Sequence, residues 1–181
     1  PKEISYENTG TVFYANPKPK VSLFDSLINV STKYNSKLEG RLSIIIAGSA
    51  GEGVQVAADL LAQAAMASGL KTTKKGEYPI TVGTGFSVAE VIISREDIHY
   101  TGIENPDVMI IVSVEGLKKI ENRIGKETLL IIDKDLPIPT DIKNLYSGNF
   151  RKVSGRKGAV LTAIAYWLNL KETIPIESLK E

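Results

Sequence analysis

The residues whose types and spacing suit chemistry begin with a glycine-rich turn at 48–53, of sequence GSAGEG. The turn follows an apolar run and precedes an alanine-rich stretch, so it joins a predicted strand to a predicted helix. Backbone N–H groups in such a turn, together with the dipole of the following helix, favour an anion such as a phosphate. The turn therefore has two interpretations, a phosphate or dinucleotide cradle and a tight connection with no ligand.

Details of this turn favour the tight connection. Its spacing is G-x-x-G-x-G, whereas dinucleotide-binding turns read G-x-G-x-x-G, and no Gly-Lys-Ser or Gly-Lys-Thr of a P-loop closes it. Glu52 also places a carboxylate where a phosphate would lie. The next predicted strand ends at Lys74 and Lys75 rather than at an acidic residue that binds a ribose hydroxyl. These lysines leave open an NADP-dependent alternative, in which they contact a 2′-phosphate.

The densest basic cluster precedes the last apolar helix and consists of Arg151, Lys152, Arg156 and Lys157. Cations grouped in this way suit a phosphate-rich ligand or an acidic protein partner. A solvated loop explains them equally well.

Other candidate residues favour structural interpretations. His99 has the pKa range of a general base, but no nucleophile or carboxylate motif surrounds it in the sequence. Asp133 and Asp135 follow a predicted strand, but two carboxylates are too few to predict a metal site, and we expect a solvated turn. Tyr166 and Trp167 are expected in the core or in an interface. We therefore predict no catalytic residue and no metal ligand.

Composition excludes several classes of protein. The 181 residues contain 22 basic and 21 acidic side chains, a net charge of +1, which removes the bulk electrostatic case for binding nucleic acid or a membrane surface. The absence of cysteine excludes disulfides, a thiol nucleophile and a cysteine-ligated cluster in this sequence, and one histidine excludes a multi-histidine site. No apolar stretch is long enough to span a membrane and no leader is evident, so we expect a cytoplasmic protein.

Alternating patterns predict an α/β fold. Predicted strands lie at 42–47, 70–74, 86–94, 108–112 and 129–132. Predicted helices lie at 54–68, 115–124, 141–146 and 158–170, and a further helix is expected from about 176. Strands that alternate with helices indicate a Rossmann-like three-layer α/β/α domain, with a mostly parallel sheet covered on both faces.

The first forty residues differ from the rest. We interpret residues 1–40 as an N-terminal extension and residues 41–181 as the domain. Within the extension, residues 1–20 form a polar arm, residues 23–34 a short amphipathic helix, and residues 35–41 a linker that reaches the domain.

Several motifs in order carry a family resemblance. The turn and helix start GSAGEGV at 48–54 is followed by YPITVGTG at 78–85, VIIS at 91–94 and NPDV at 105–108. This order resembles the gamma subunit, or gamma domain, of the 2-oxoacid:ferredoxin oxidoreductases, which act on pyruvate, ketoisovalerate or 2-oxoglutarate. The family reads G-x-G-G-[QE]-G-V, then Y-[GP]-x-x-x-[KR]-G-G, V-R-[IL]-S and P-D-[VL]. The resemblance covers about residues 41–170.

Four positions depart from the family pattern. Ala50 replaces a glycine of the first motif and Thr84 replaces a glycine of the second. Gly83 stands where the family has lysine or arginine, and Ile92 replaces the arginine of the third motif. Two positive charges near the 78–85 segment are therefore missing, which indicates a divergent or specialised member.

The resemblance implies a division of labour. Family enzymes convert a 2-oxoacid to acyl-CoA with thiamine diphosphate and Mg²⁺, and pass electrons through iron–sulfur clusters to ferredoxin. The gamma part is structural and lies on the coenzyme A side, while alpha and beta subunits, and in some enzymes a delta subunit, complete the oligomer. The resemblance thus implies a coenzyme A or phosphate side at Gly48, Ser49, Gly51, Gly53, Arg156 and Lys157. It implies a subunit interface at Tyr78, Pro79, Gly83 and Gly85.

Three functional hypotheses follow. The first is a gamma-type subunit that is inactive alone but belongs to an oxidoreductase complex. The second is the stand-alone NADP-dependent oxidoreductase, and the third is a non-enzymatic scaffold of the same fold. The sequence does not choose the 2-oxoacid.

Overall fold

Six β-strands form one sheet in the part of the chain that the computed structural model describes, residues 32–79, 85–138 and 142–180. In chain order the strands are β1 (Arg41–Ser49), β2 (Lys71–Glu77), β3 (Phe86–Ser94), β4 (Val108–Ile111), β5 (Leu129–Asp133) and β6 (Asn144–Gly148). The helices are α1 (Val54–Ala67), α2 (Val114–Ile120) and α3 (Phe150–Lys171), with 3₁₀ turns at Glu121–Arg123 and Ile176–Lys180.

The sheet has the order β2-β3-β1-β4-β5-β6. Strands β1, β4, β5 and β6 are parallel, and β3 alone runs antiparallel to both of its neighbours. The predicted α/β fold with a mostly parallel sheet is therefore confirmed. The carboxyl ends of β1, β2, β4, β5 and β6 lie at one edge of the sheet, called here the carboxyl edge.

Strand β1 shows why the sheet is covered on both faces. Its residues alternate between two apolar clusters, because successive side chains of a strand point to opposite faces. Ile44 and Ile46 pack with α1 and α3, while Ile45 and Ala47 pack with Leu117 of α2. All of these strand side chains are fully buried, so a one-residue shift in register would disrupt both clusters.

The predicted helix at 141–146 is wrong. Asn144–Gly148 is strand β6, which pairs in parallel with β5. Leu145 packs toward one apolar cluster and Tyr146 toward the other, which is the alternation of a strand. Pairing with the edge of β5 overrides the weak local helical pattern. Asp141 itself lies outside the described residues.

The last helix begins earlier than predicted. Helix α3 starts at Phe150 rather than near Gly158, and it is broken at Gly155, whose φ is +69° and ψ 176°. Glycine suits this position because such angles are rare for other residues. The break separates the turn that carries Arg151 from the long apolar part that contains the buried Trp167.

The segment predicted as a linker packs on the domain. Arg95 donates to the carbonyl oxygens of Ser36 and Leu38, and the Ser36 hydroxyl donates to the Thr173 carbonyl at 2.7 Å. Leu38 is buried in the larger apolar cluster. Residues 32–34 of the predicted short helix are not helical. The rest of that helix and the arm lie outside the described residues.

A close approach between α2 and β1 generates the first prediction. A Cβ on Gly116 would lie 2.7 Å from the Gly48 amide nitrogen and 2.8 Å from the Ala47 carbonyl carbon. Because backbone cannot move aside as a flexible side chain can, we expect Gly116→Ala to lower the free energy of unfolding by about 1–3 kcal/mol. Urea titration measures this loss.

Gly125→Ala is the matched control, because its added Cβ meets only the Thr128 side chain at 3.2 Å. An equal or larger loss in this control, or a gain of stability in Gly116→Ala from higher helix propensity, would show that the close approach is not the constraint.

Candidate functional site

The polar residues of interest meet at the carboxyl edge. There the glycine turn follows β1, α2 follows β4, and α3 follows β6. Ligand sites of open α/β sheets lie at this edge, outside the carboxyl ends of the strands. The fold therefore brings the glycine turn, the start of α2 and the start of α3, which are up to about a hundred positions apart in the sequence, to the same edge of the sheet.

A buried carboxylate occupies the centre of this edge. Glu52 is 1% exposed, and its Oε2 accepts the Ser49 backbone N–H at 2.9 Å. Its Oε1 accepts Arg151 Nη2 at 2.7 Å and Arg156 Nε at 3.1 Å. Charge-assisted bonds of this kind satisfy a carboxylate that would otherwise be costly to bury. A carboxylate of the protein itself therefore accepts the Ser49 N–H, which is one of the donors that the turn would offer to a bound anion.

Two further N–H groups of the turn also bond within the protein. The Ala50 N–H donates to the Gly85 carbonyl at 2.9 Å, and the Glu52 N–H donates to the Ser49 carbonyl at 3.2 Å. Gly53 is the N-cap of α1 and has a φ of +79°, in the left-handed region that favours glycine. These bonds agree with the tight connection preferred from the sequence.

A second carboxylate lies next to the turn. The Ser49 hydroxyl donates to Glu115 Oε2 at 2.7 Å. This hydrogen bond is the main cause of a lowered pKa of Glu115, to which the charge of Arg151 adds. The buried Ser113 side chain caps α2 by accepting the Gly116 N–H at 3.0 Å. The start of α2 is thereby fixed beside the end of β1.

Asp133 corrects the expectation of a solvated turn. Its side chain is fully buried, and its Oδ2 accepts the Arg151 backbone N–H at 2.8 Å in the first turn of α3. Its Oδ1 accepts the Asp135 N–H at 3.2 Å. Asp133 therefore stabilises the start of α3, where a negative charge is favourable. Asp135 is exposed, as expected.

The structure brings several predicted site residues together. A Cβ on Gly53 would lie 3.1 Å from the Lys157 carbonyl oxygen, so the basic segment of α3 crosses the start of α1. Gly85 contacts the turn, and a Cβ there would lie 3.3 Å from Pro79. Tyr78 is 68% exposed beside them. Gly83 lies outside the described residues.

Other candidates lie elsewhere. His99 is exposed beyond β3, at the opposite edge of the sheet. Lys74, named for the NADP alternative, pairs with Asp59 at 2.7 Å and donates to the Gln55 carbonyl at 3.2 Å, both on α1. The structure therefore does not favour that alternative.

The sequence does not indicate the hydrogen bonds that connect the glycine turn with α2 and α3. Arg151 was named only within the basic cluster, and Ser113, Glu115 and Asp133 were not connected with the turn. One local signal existed, because a serine N-cap with an acidic residue in the first helical turn, here Ser113 and Glu115, is typical of a helix start. The contacts of Arg151 and Glu52 span 99 positions and had no local signal.

Among the described residues, no group of three or more histidine, cysteine, aspartate or glutamate side chains is placed to hold a metal ion. No helix in those same ranges is long and apolar enough to cross a membrane.

Comparison with known proteins defines the family. The sequence model described as Pyruvate ferredoxin/flavodoxin oxidoreductase matches residues 43–179, well over half of the chain. The chain therefore belongs to the pyruvate ferredoxin/flavodoxin oxidoreductase family, and the resemblance noted from its motifs is confirmed.

Curated relatives include two proteins named 2-oxoglutarate synthase subunit KorC. The one from Methanothermobacter thermautotrophicus is 32% identical over 108 residues, 59% of this chain and 57% of that protein. The one from Methanothermobacter marburgensis is 33% identical over 105 residues, 58% and 56% of the two chains. The chain thus spans little more than half the length of the curated relatives it matches.

Solved structures share the fold. The gamma subunit of a keto/oxoacid ferredoxin oxidoreductase from Geobacter sulfurreducens has a TM-score of 0.66 at 23% identity, over 78% of this chain and 82% of that chain. A 2-oxoglutarate:ferredoxin oxidoreductase from Magnetococcus marinus, solved with 2-oxoglutarate, coenzyme A and succinyl-CoA bound, also has a TM-score of 0.66, at 20% identity. That match covers 79% of this chain and 26% of the longer one.

Removal of the buried carboxylate is the second prediction. Glu52→Ala leaves Arg151 and the Ser49 N–H without their acceptor, so we expect the free energy of unfolding to fall by about 3 kcal/mol. Glu52→Gln keeps an acceptor for the N–H and should lose about 1–2 kcal/mol. Arg156→Ala should lose less than about 1 kcal/mol, because that side chain is 68% exposed. Urea titration of the three variants measures these losses in the free energy of unfolding and shows whether they fall in this order.

Glu39→Ala is the control for this series, because Glu39 is an exposed glutamate outside the site. A loss in Glu52→Ala no larger than in Glu39→Ala would contradict the assigned network.

The Ser49–Glu115 hydrogen bond gives a third prediction, on pH. A lowered pKa in the folded state means that the stabilisation is present above the ordinary value of 4.5 and is lost as the pH falls through the folded value. We therefore expect the stability difference between the native chain and Ser49→Ala to be largest near pH 7 and to narrow on acidification below pH 4.5. Chemical unfolding at several pH values measures it.

Ser154→Ala is the matched control, because the Ser154 hydroxyl donates to the Phe150 carbonyl, which does not titrate. A Ser49→Ala difference that stays constant between neutral and acidic pH, like that of the control, would exclude Glu115 as its cause.

Proposed function

We propose that this chain is a gamma-type subunit of a 2-oxoacid:ferredoxin oxidoreductase complex. The match of residues 43–179 to the family carries the proposal, and the motifs that lie within this match agree with it. The names of the curated relatives make 2-oxoglutarate the first substrate to test, with pyruvate and ketoisovalerate as comparators.

In this proposal the chain does not perform the chemistry alone. Thiamine diphosphate with Mg²⁺ supplies decarboxylation of the 2-oxoacid, and iron–sulfur clusters carry the electrons to ferredoxin, on alpha and beta subunits and, where present, a delta subunit. The sequence has no cysteine with which to bind a cluster. The contribution of this chain is to shape the coenzyme side of the complex and to hold other subunits.

The arrangement at the carboxyl edge supports a coenzyme A side made of side chains rather than of turn N–H groups. Gly48, Ser49, Gly51 and Gly53 shape the turn, and the N–H groups of Ser49, Ala50 and Glu52 bond within the protein. The Arg156 Nε donates to Glu52, yet the Arg156 side chain remains 68% exposed, and Lys157 is exposed beside it. These two cations fit the phosphates of coenzyme A by charge.

Assembly is the direct test of the subunit role. The chain is co-expressed with the polypeptides encoded beside it that carry a thiamine-binding G-D-G motif and ferredoxin-type cysteine runs. We expect one co-purifying complex that reduces ferredoxin with a 2-oxoacid and coenzyme A, and no activity from the chain alone. A full-activity complex that forms without the chain would refute the proposal.

The coenzyme role is tested by kinetics in that complex. Replacing Arg156 and Lys157 together by alanine should raise the KM for coenzyme A by about tenfold, which is ~1.4 kcal/mol, and leave the KM for the 2-oxoacid unchanged. Lys171→Ala, a change to an exposed lysine at the far end of α3, is the matched control. If the double variant and Lys171→Ala have the same KM for coenzyme A, the coenzyme assignment is wrong, and the subunit role is unaffected.

A further inference from the structure

One buried carboxylate bridges the break in α3. The break lies at Gly155, so Arg151 belongs to the short turn before it and Arg156 to the start of the long part after it. Glu52 Oε1 accepts a hydrogen bond from each arginine, from Arg151 Nη2 at 2.7 Å and from Arg156 Nε at 3.1 Å. The Glu52 side chain is 2% exposed, whereas those of Arg151 and Arg156 are 29% and 68% exposed. A buried group of fixed position therefore connects the two segments of α3.

The backbone at the break gives this connection its importance. Gly155 has a φ of +69° and a ψ of 176°, a combination that is essentially restricted to glycine and that interrupts the regular helix. One other side-chain hydrogen bond crosses the break in the described part of the chain, from the Thr162 hydroxyl to the Ser154 hydroxyl at 2.8 Å. That bond is exposed and involves neither arginine. The position of the Arg156 side chain relative to the turn before the break therefore depends on Glu52.

The bond to Glu52 leaves the end of the Arg156 guanidinium available. Arginine carries one donor on Nε and two on each Nη, arranged in a rigid plane. Among the residues that the structure describes, the Arg156 side chain donates a hydrogen bond only through Nε. The two Nη nitrogens together form the fork that binds two oxygens of one phosphate. The exposed Lys157 beside it adds a positive charge without this fixed geometry.

A carboxylate beside Arg156 has two opposite effects on an anionic ligand. It repels the anion, and it holds the guanidinium in one place before the anion arrives. The repulsion is small here, because Arg151 pairs with the same buried carboxylate and balances its charge. The holding effect is larger, since an exposed arginine otherwise loses much side-chain freedom when it binds a ligand. Removal of Glu52 should therefore weaken the binding of a phosphate at Arg156 rather than strengthen it.

We propose that Glu52 is a positioning residue for coenzyme A. Its carboxylate bridges the break at Gly155 and holds Arg156 by Nε, so that both Nη nitrogens are ready for a phosphate of the coenzyme. The inference rests on the proposed function, which assigns the coenzyme contact to Arg156 and Lys157, and extends it to a buried residue that does not touch the coenzyme.

Titration calorimetry of the co-purified complex with coenzyme A tests this role, because it measures binding rather than turnover. We expect Arg156→Ala and Glu52→Ala each to raise the Kd of coenzyme A about fivefold. Glu52→Gln keeps an acceptor for Arg156 and should raise the Kd only about twofold. The double variant should bind no more weakly than Arg156→Ala, because both residues act through one contact. The KM for the 2-oxoacid should not change in any of these variants.

Two controls distinguish positioning from a loss of stability. Leu38→Ala removes a side chain that is buried in the larger apolar cluster just before β1, at the edge of the sheet opposite to Glu52. It lowers the free energy of unfolding without altering the break in α3. Thr162→Ala removes the other hydrogen bond across the break and leaves both arginines with Glu52. Both controls should leave the Kd of coenzyme A unchanged.

The outcomes separate this inference from the function on which it rests. If Arg156→Ala raises the Kd but Glu52→Ala leaves it unchanged or lowers it, Glu52 is not a positioning residue and the coenzyme contact stands. The same conclusion follows if Leu38→Ala or Thr162→Ala raises the Kd as much as Glu52→Ala does. If Glu52→Ala does not assemble, a native Kd in Glu52→Gln overturns the proposal.

The two remaining outcomes concern the proposed function itself. If Arg156→Ala leaves the Kd of coenzyme A unchanged, the coenzyme contact is wrong and the role of Glu52 is wrong with it. If the native chain forms no complex, the subunit role fails and the inference fails with it.

Discussion

The carboxylate of Glu52 is the interaction on which the carboxyl edge depends. It is buried, yet it reaches the end of β1 through the Ser49 N–H and the start of α3 through Arg151. A buried charge must be fully paired or the fold loses several kcal/mol, so this one group links the end of β1 to the start of α3. Asp133 adds a second buried carboxylate at the same helix start. The arginine side chains are thereby held where the sheet ends.

The same interaction changes what the glycine turn can do. A turn that follows a strand and opens a helix is ordinarily free to bind a phosphate through its N–H groups. Here the Glu52 carboxylate accepts the Ser49 N–H. The backbone N–H groups of Ala50 and Glu52 donate to carbonyl oxygens of the protein itself. The side chains left exposed around this edge include cations on α3 and apolar groups on the neighbouring connections. These cations are the ones to which the proposed function assigns the contact with coenzyme A.

The sequence predicted most of the fold because the signals for it are local. The apolar β-branched runs of β1, β3, β4 and β5 and the alanine-rich α1 lie where their patterns indicate, and β3 has the predicted bounds, residues 86–94. β6 was predicted as a helix, since its five residues become a strand only by pairing with β5. The site was predicted in part: the turn and the basic segment were named, and Glu52 was expected to occupy an anion position. Its bond to Arg151 spans 99 positions, which no local pattern indicates.

Hydrogen exchange tests most directly the central claim, that the buried carboxylate of Glu52 holds the end of β1 and the start of α3 together at the carboxyl edge. Amide exchange is compared between the native chain and Glu52→Ala. We expect faster exchange in the variant at residues 49–53 and 150–154, with exchange unchanged around Tyr100 and at the end of α1. Faster exchange confined to the opposite edge, or no difference between the two samples, would contradict it.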